Sequence, residues 1–190
     1  MESVIKISGQ WDEGIILDRY TVKSVFIDYD AFGEPLFDNT YSAVGQLLHD
    51  MKYNGHINTS DKIVDMYFDY LNSWTQGKDI DIIIPVPPSK IRFMQPVFTF
   101  GETLSSRLNI PYSDNILQKT DDVETKNIPK GERNLSGKIK QLRFAKRRCN
   151  VLLIDDFYST GQTSNECAAV LRNDPLVDKI YYLAIAKTKN

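Results

Sequence analysis

Val151-Leu152-Leu153-Ile154 is an uninterrupted apolar run that meets two carboxylates, Asp155 and Asp156, with no residue between them. A strand with one wet face alternates apolar and polar residues, so four apolar residues in succession require cover on both faces. A parallel sheet flanked by crossover helices provides that cover, and the second half of the chain has the matching rhythm. Asp81-Ile82-Ile83-Ile84-Pro85 reads as another buried strand, 97–108 as a helix, 115–117 as a short strand, 163–172 as a helix and 179–186 as a final strand. The expected fold is α/β, with a parallel sheet of about five strands flanked by helices.

The N-terminal part has a different texture. Residues 14–29 are rich in β-branched and aromatic types, and Asp18-Arg19 interrupts them where a turn would fall, which predicts a β-hairpin. Val44, Leu47, Leu48 and Met51 stand at helical spacing within 41–53, with Asn54-Gly55 as a stop signal. Ile63, Val64, Tyr67, Phe68, Tyr70 and Leu71 mark a second amphipathic helix after Ser60-Asp61. The chain divides on this reading into a hairpin appendage, 1–40, and an α/β domain, 41–190.

Composition removes several alternatives. Cys149 and Cys167 are the only cysteines in the 190 residues and form no Cys-x-x-Cys pair, which rules out a disulfide framework or a cysteine zinc site. His49 and His56 have no carboxylate or cysteine at ligand spacing. No 18-residue apolar run occurs, and the first residues lack an apolar signal core, so the expected location is the cytoplasm, away from membranes. The net charge is −2, yet residues 126–148 hold nine Lys or Arg against one acid, Glu132. Such a run suits an anionic partner. With Phe144 the only aromatic among these residues, a phosphate-bearing small molecule is favoured over extended nucleic-acid binding.

The chemistry concentrates after the 151–154 strand. Ser159-Thr160-Gly161-Gln162-Thr163 leads into a helix, where free backbone N–H groups, the positive end of the helix dipole and three hydroxyls meet in an anion hole of phosphate size. Gly161 permits a left-handed turn and a close approach to a ligand. Asp155 and Asp156 can accept hydrogen bonds from vicinal sugar hydroxyls or hold part of a magnesium shell through water. A ribose 5-phosphate offers a diol at one end and a phosphate at the other, and so fits this cradle. Residues 119–138 carry no apolar periodicity, as a long functional or disordered loop does.

The segment 151–163 closely resembles the phosphoribosyl pyrophosphate (PRPP) motif of type I phosphoribosyltransferases: four apolar residues, two acids and a Thr-Gly phosphate loop. Three other stretches are similar to the ComF-type branch of that superfamily. They are Leu47-Leu48-His49-Asp50-Met51-Lys52-Tyr53-Asn54-Gly55, then Ile84-Pro85-Val86-Pro87-Pro88-Ser89-Lys90 with Arg92 downstream, and Lys130-Gly131-Glu132-Arg133-Asn134-Leu135. The branch's N-terminal four-cysteine zinc ribbon is missing, and Pro96-Val97-Phe98-Thr99 stands where many members have Arg-Gly-Phe-Asn.

The resemblance implies a type I phosphoribosyltransferase-like sheet with the N-terminal hairpin and helices as a hood. It implies Mg²⁺-dependent transfer of ribose 5-phosphate from PRPP to an unidentified acceptor, with release of pyrophosphate. Asp155, Asp156 and Lys90 would be catalytic; Ser159, Thr160, Gly161, Gln162 and Thr163, with the two acids, would bind ribose 5-phosphate. Ser89, Lys90 and Arg92 would hold pyrophosphate, and a flexible lid would carry Lys126, Lys130 and Arg133. Lys52 and Tyr53 read rather as a helix-end pair. A non-catalytic PRPP or nucleotide sensor, or an accessory protein in DNA uptake or repair, is the alternative, and a homodimer stays open.

Overall fold

The computed structural model describes residues 4–53, 59–88, 95–120 and 138–188. Five strands form the central sheet: β1 (Ile5–Ile7), β2 (Glu13–Arg19), β9 (Val177–Lys187), β8 (Cys149–Tyr158) and β5 (Ile80–Pro85), in that spatial order. β2, β9, β8 and β5 run parallel, and β1 is an antiparallel edge on β2. The expected α/β sheet of about five strands is present.

Alternate residues of these strands feed two cores. Ile15, Leu17, Ile83, Leu152, Ile154 and Leu183 face three helices, α1 (Ala43–Tyr53), α2 (Thr59–Thr75) and α3 (Pro96–Leu108). On the other side Ile16, Ile84, Val151, Leu153 and Tyr182 join Cys167, Ala168 and Leu171 of α4 (Gln162–Arg172). Leu117 and Ile139 reach the same core from a short antiparallel pair, β6 (Leu117–Lys119) and β7 (Ile139–Gln141). The apolar run 151–154 thus serves both layers at once, which is why it contains no polar residue.

The expected hairpin over 14–29 does not form. Residues 13–19 are β2 and pair in parallel with β9, while β3 (Thr21–Tyr29) pairs with β4 (Pro35–Tyr41) in a separate two-stranded ribbon. The reason is burial. Ile15, Ile16 and Leu17 are completely inaccessible to solvent in the sheet, and each contributes roughly 1.5–3 kcal/mol there. A two-stranded hairpin would leave part of that surface wet. The real turn lies between β3 and β4, where Asp30 Oδ1 accepts from the N–H groups of Phe32 and Glu34 at 2.8 and 2.9 Å, and Gly33 takes φ +83°. Residues 5–19, expected in the hood, belong to the central sheet, whereas β3 and β4 leave it.

Ser42 fixes the base of that ribbon. Its hydroxyl donates to Arg19 O at 2.5 Å and accepts the Gly45 N–H at 2.9 Å, so one side chain joins the end of β2 to the start of α1. Gly45 then lies against the Tyr20 carbonyl, and a Cβ at this position would come within 1.9 Å of that oxygen. Gly45→Ala should therefore destabilise the protein by about 1–3 kcal/mol, the usual cost of overpacking, read as a lower urea midpoint. An unchanged midpoint would show that this junction yields freely.

Candidate functional site

The site begins where β5 stops. Its pairing with β8 ends at Pro85–Ile154, because Pro85, Pro87 and Pro88 lack the N–H groups a parallel ladder needs. β8 continues on its other flank against β9, with Asp155 opposite Ala184, Phe157 opposite Ala186 and Tyr158 opposite Lys187. The acid pair, expected just past the strand, thus lies in its last part, on the stretch that has lost one neighbour. Open α/β sheets place ligands at this C-terminal edge.

Asp155 accepts a hydrogen bond from the Tyr182 hydroxyl at 3.2 Å. Burial, and next the negative charge of Asp156, push its carboxyl well above the ordinary carboxylate range. Asp156 has a different partner. Lys52 Nζ, from the last turn of α1, lies 2.8 Å from Asp156 Oδ2 and 3.6 Å from the centre of the Phe157 ring. The Lys52 side chain is only 10% exposed, so this pair is shielded from the water that weakens surface salt bridges. Lys52 stands at the helix end as read, and from there it also reaches the acid pair of the candidate site.

The loop after β8 has the expected form. Gly161 is the N-cap of α4 at φ +75°, ψ 2°, and a Cβ there would meet the Tyr158 ring at 2.8–3.0 Å. No side chain caps the helix: the contact from the Gln162 N–H to Thr160 Oγ1 is a long 3.4 Å. Ser159 and Thr160 are exposed, and Gln162 and Thr163 half-buried. Helical N–H groups without a cap, a dipole end and nearby hydroxyls make a receptor for an anion.

Asn165 was not legible as a site residue. Its Nδ2 donates to Gly161 O at 2.8 Å while its Oδ1 accepts from the Gln10 N–H at 2.7 Å, which anchors the loop to the segment between β1 and β2. Tyr158 and Tyr182 were also missed. Tyr182 stands beside Tyr181 in the run 180–186, whose other residues are all apolar, and an aromatic hydroxyl in such a run is the signal that it carried. His49, left out of the mechanism, lies between the rings of Tyr41 and Tyr53, at 5.0 and 4.7 Å. Ser89, Lys90 and Arg92, and likewise Lys126, Lys130 and Arg133, lie outside the described residues.

Among the described residues no three His, Cys, Asp or Glu side chains gather in a way that could hold a metal ion. Asp155 and Asp156 supply two carboxylates, a donor set that suits Mg²⁺ when substrate phosphates and water complete its octahedron. A separate cavity of about 210 Å³, lined by Ile82, Phe144, Cys149 and Val177 among others, lies at the opposite ends of the strands. No described helix is long and apolar enough to cross a membrane.

No protein-family model matches the chain, and no curated protein matches it. Solved structures do. Adenine phosphoribosyltransferase from Leishmania tarentolae is 13% identical at a TM-score of 0.48, over 97% of this chain and 94% of that one. Adenine phosphoribosyltransferase from Saccharomyces cerevisiae is 15% identical at 0.47, over 88% and 92%. UMP synthase from Leishmania donovani is 16% identical at 0.41 over 86% of this chain, which spans 28% of that protein.

The raised pKa of Asp155 has a consequence for stability. Folded Asp155 keeps its proton to higher pH than the unfolded chain does. Its contribution is therefore complete below the ordinary carboxylate range and is lost as pH rises through that range toward the raised value. Asp155→Asn removes this loss. Urea unfolding at a series of pH values should show the variant declining less steeply than wild type above about pH 4, and the more stable of the two at neutral pH. Parallel pH profiles would show that Asp155 ionises as readily in the fold as out of it.

Proposed function

We propose that the chain binds PRPP at the C-terminal edge of its sheet and transfers ribose 5-phosphate to an acceptor with release of pyrophosphate, as a phosphoribosyltransferase of ComF-type affinity. The observation that carries this reading is the uncapped N-terminus of α4 with Gly161 in the left-handed region, a short loop away from the Asp155–Asp156 pair. A phosphate on the loop and a diol on the acids are the two ends of one ribose 5-phosphate.

The charge balance supports it. Because burial raises the Asp155 carboxyl and Lys52 lies against Asp156, the acids add less net negative charge beside an anionic ligand than two free carboxylates would. One uncompensated charge about 4 Å from a phosphate oxygen would cost roughly 4 kcal/mol at an effective dielectric of 20. A protonated Asp155 can also donate to a sugar hydroxyl while Asp156 accepts from one.

In the reaction the chain's own groups orient and exclude. Backbone amides of 161–164 and the hydroxyls of Ser159, Thr160 and Thr163 hold the 5-phosphate; the acids fix the ribose as its anomeric carbon becomes oxocarbenium-like. Ser89, Lys90 and Arg92 would receive the departing pyrophosphate, and Lys126, Lys130 and Arg133 would close over it and keep water out. Asp155 and Asp156 would hold Mg²⁺ through water, and the ion would supply neutralisation of leaving-group charge.

A second reading keeps the binding and drops the turnover: a PRPP or nucleotide sensor, or an accessory protein in DNA uptake or repair. The engagement of Asp156 by Lys52 favours it, because that carboxylate is already occupied. Pyrophosphate release assayed with adenine, guanine, hypoxanthine, uracil, orotate and ammonia separates the two. For the binding they share, titration calorimetry of a Thr160→Ala, Thr163→Ala double mutant should show PRPP affinity reduced at least about tenfold, from a loss of about 1.5–3 kcal/mol per hydrogen bond to a charged group. Equal affinity in both proteins would remove the phosphate from this loop.

A further inference from the structure

The β3–β4 ribbon has an unusual surface for a part of a folded chain. Of the twelve large apolar side chains exposed among the described residues, eight lie between Val22 and Phe37, so the exposure belongs to this ribbon and not to the surface at large. Phe26, Ile27, Tyr29, Phe32 and Phe37 are 48–94% exposed. Phe26 touches the rings of Phe37 and Tyr29 edge-on, at 5.9 and 5.1 Å, which builds an aromatic cluster with no body beneath it. From residue 22 to residue 40 only Ser24 and Asp30 are even half-buried. A lone two-stranded ribbon is marginal in water, and a contiguous apolar patch of this kind marks an interface.

We propose that two copies of this chain join through their β3–β4 ribbons, in an antiparallel arrangement about a two-fold axis. Two observations select a second copy as the occupant. Neither strand has another neighbour among the described residues, so each ribbon has free edges, and antiparallel edge pairing is complementary to itself. Charge is unevenly spread along the ribbon: Arg19 and Lys23 stand at its base, without an ion pair among the described residues, Asp38 lies midway opposite Val25, and Asp28, Asp30 and Glu34 gather at its tip. Antiparallel apposition sets the basic end of one ribbon against the acidic end of the other.

The inference does not depend on the ligand of the sheet edge, and it is tested on the full chain by sedimentation velocity over a range of concentrations. Wild type should sediment as a dimer of twice 21.8 kDa. Phe26→Glu with Phe37→Glu should raise the dissociation constant about thirtyfold or more, as loss of central aromatic anchors does. Both side chains are already about half exposed, and an unchanged far-ultraviolet dichroism spectrum would confirm that the variant folds. Lys23→Glu should weaken the dimer severalfold, and adding Asp28→Lys and Glu34→Lys should restore it, a recovery that only base-to-tip pairing gives. A wild type that stays monomeric at the highest soluble concentration overturns the proposal, as does a dimer indifferent to the Phe26 and Phe37 changes.

Discussion

The pairing of β8 with β9 runs from Cys149–Val177 to Tyr158–Lys187, and the other elements are arranged around it. It places β5 and β2 on either side, supplies alternate residues to both cores, and extends beyond the point where β5 has to stop. That difference in length creates the site. The prolines that end β5 remove further ladder bonds beyond Val86, and among the described residues the end of β8, with both carboxylates, has no strand on that flank. The left-handed turn at Gly161 then brings the start of α4 back to the same edge, and the Tyr158 ring leaves no room for a side chain there.

The acid pair would be unfavourable in such a place if both members were charged and alone. The fold resolves this asymmetrically. Asp156 is matched by Lys52 from the opposite layer of helices, while burial and the charge of Asp156 raise the Asp155 carboxyl against the hydrogen bond from Tyr182. Two adjacent carboxylates therefore stand in different surroundings, one against a lysine and one with its carboxyl raised by burial, a separation that environment alone produces. It also ties α1 to the sheet edge through a shielded ion pair. The C-terminal end of α1 and whatever occupies the edge are in this way mechanically linked.

Sequence reading reached the elements whose pattern follows from burial on both faces. The strands at 80–85, 149–158 and 177–187 and the helices at 96–108 and 162–172 have apolar runs or stripes that few other arrangements accept. It failed at 13–19, where the same β-branched residues suit a hairpin or a sheet interior equally, and parallel pairing with a strand at the far end of the chain decided the outcome. It also passed over β4, whose Asp38, Asn39 and Thr40 carry no strand signature, and the three-residue β7. Around the candidate site, the strand end, the left-handed turn at Gly161 and the start of α4 were legible, whereas the contacts of Lys52, Asn165 and Tyr182 were not. Their roles come from contacts between segments far apart in sequence, and no local pattern records such a meeting.

The central claim is that the start of α4 is a receptor for the phosphate of a sugar phosphate. Amide chemical shifts of the labelled protein, followed during titration with ribose 5-phosphate, address it directly. The account predicts that the N–H resonances of Gly161, Gln162, Thr163 and Ser164 move most and saturate together, with inorganic phosphate shifting the same amides more weakly because it cannot engage Asp155 and Asp156. Saturable shifts confined to other parts of the molecule, or none at ligand excess, would contradict it.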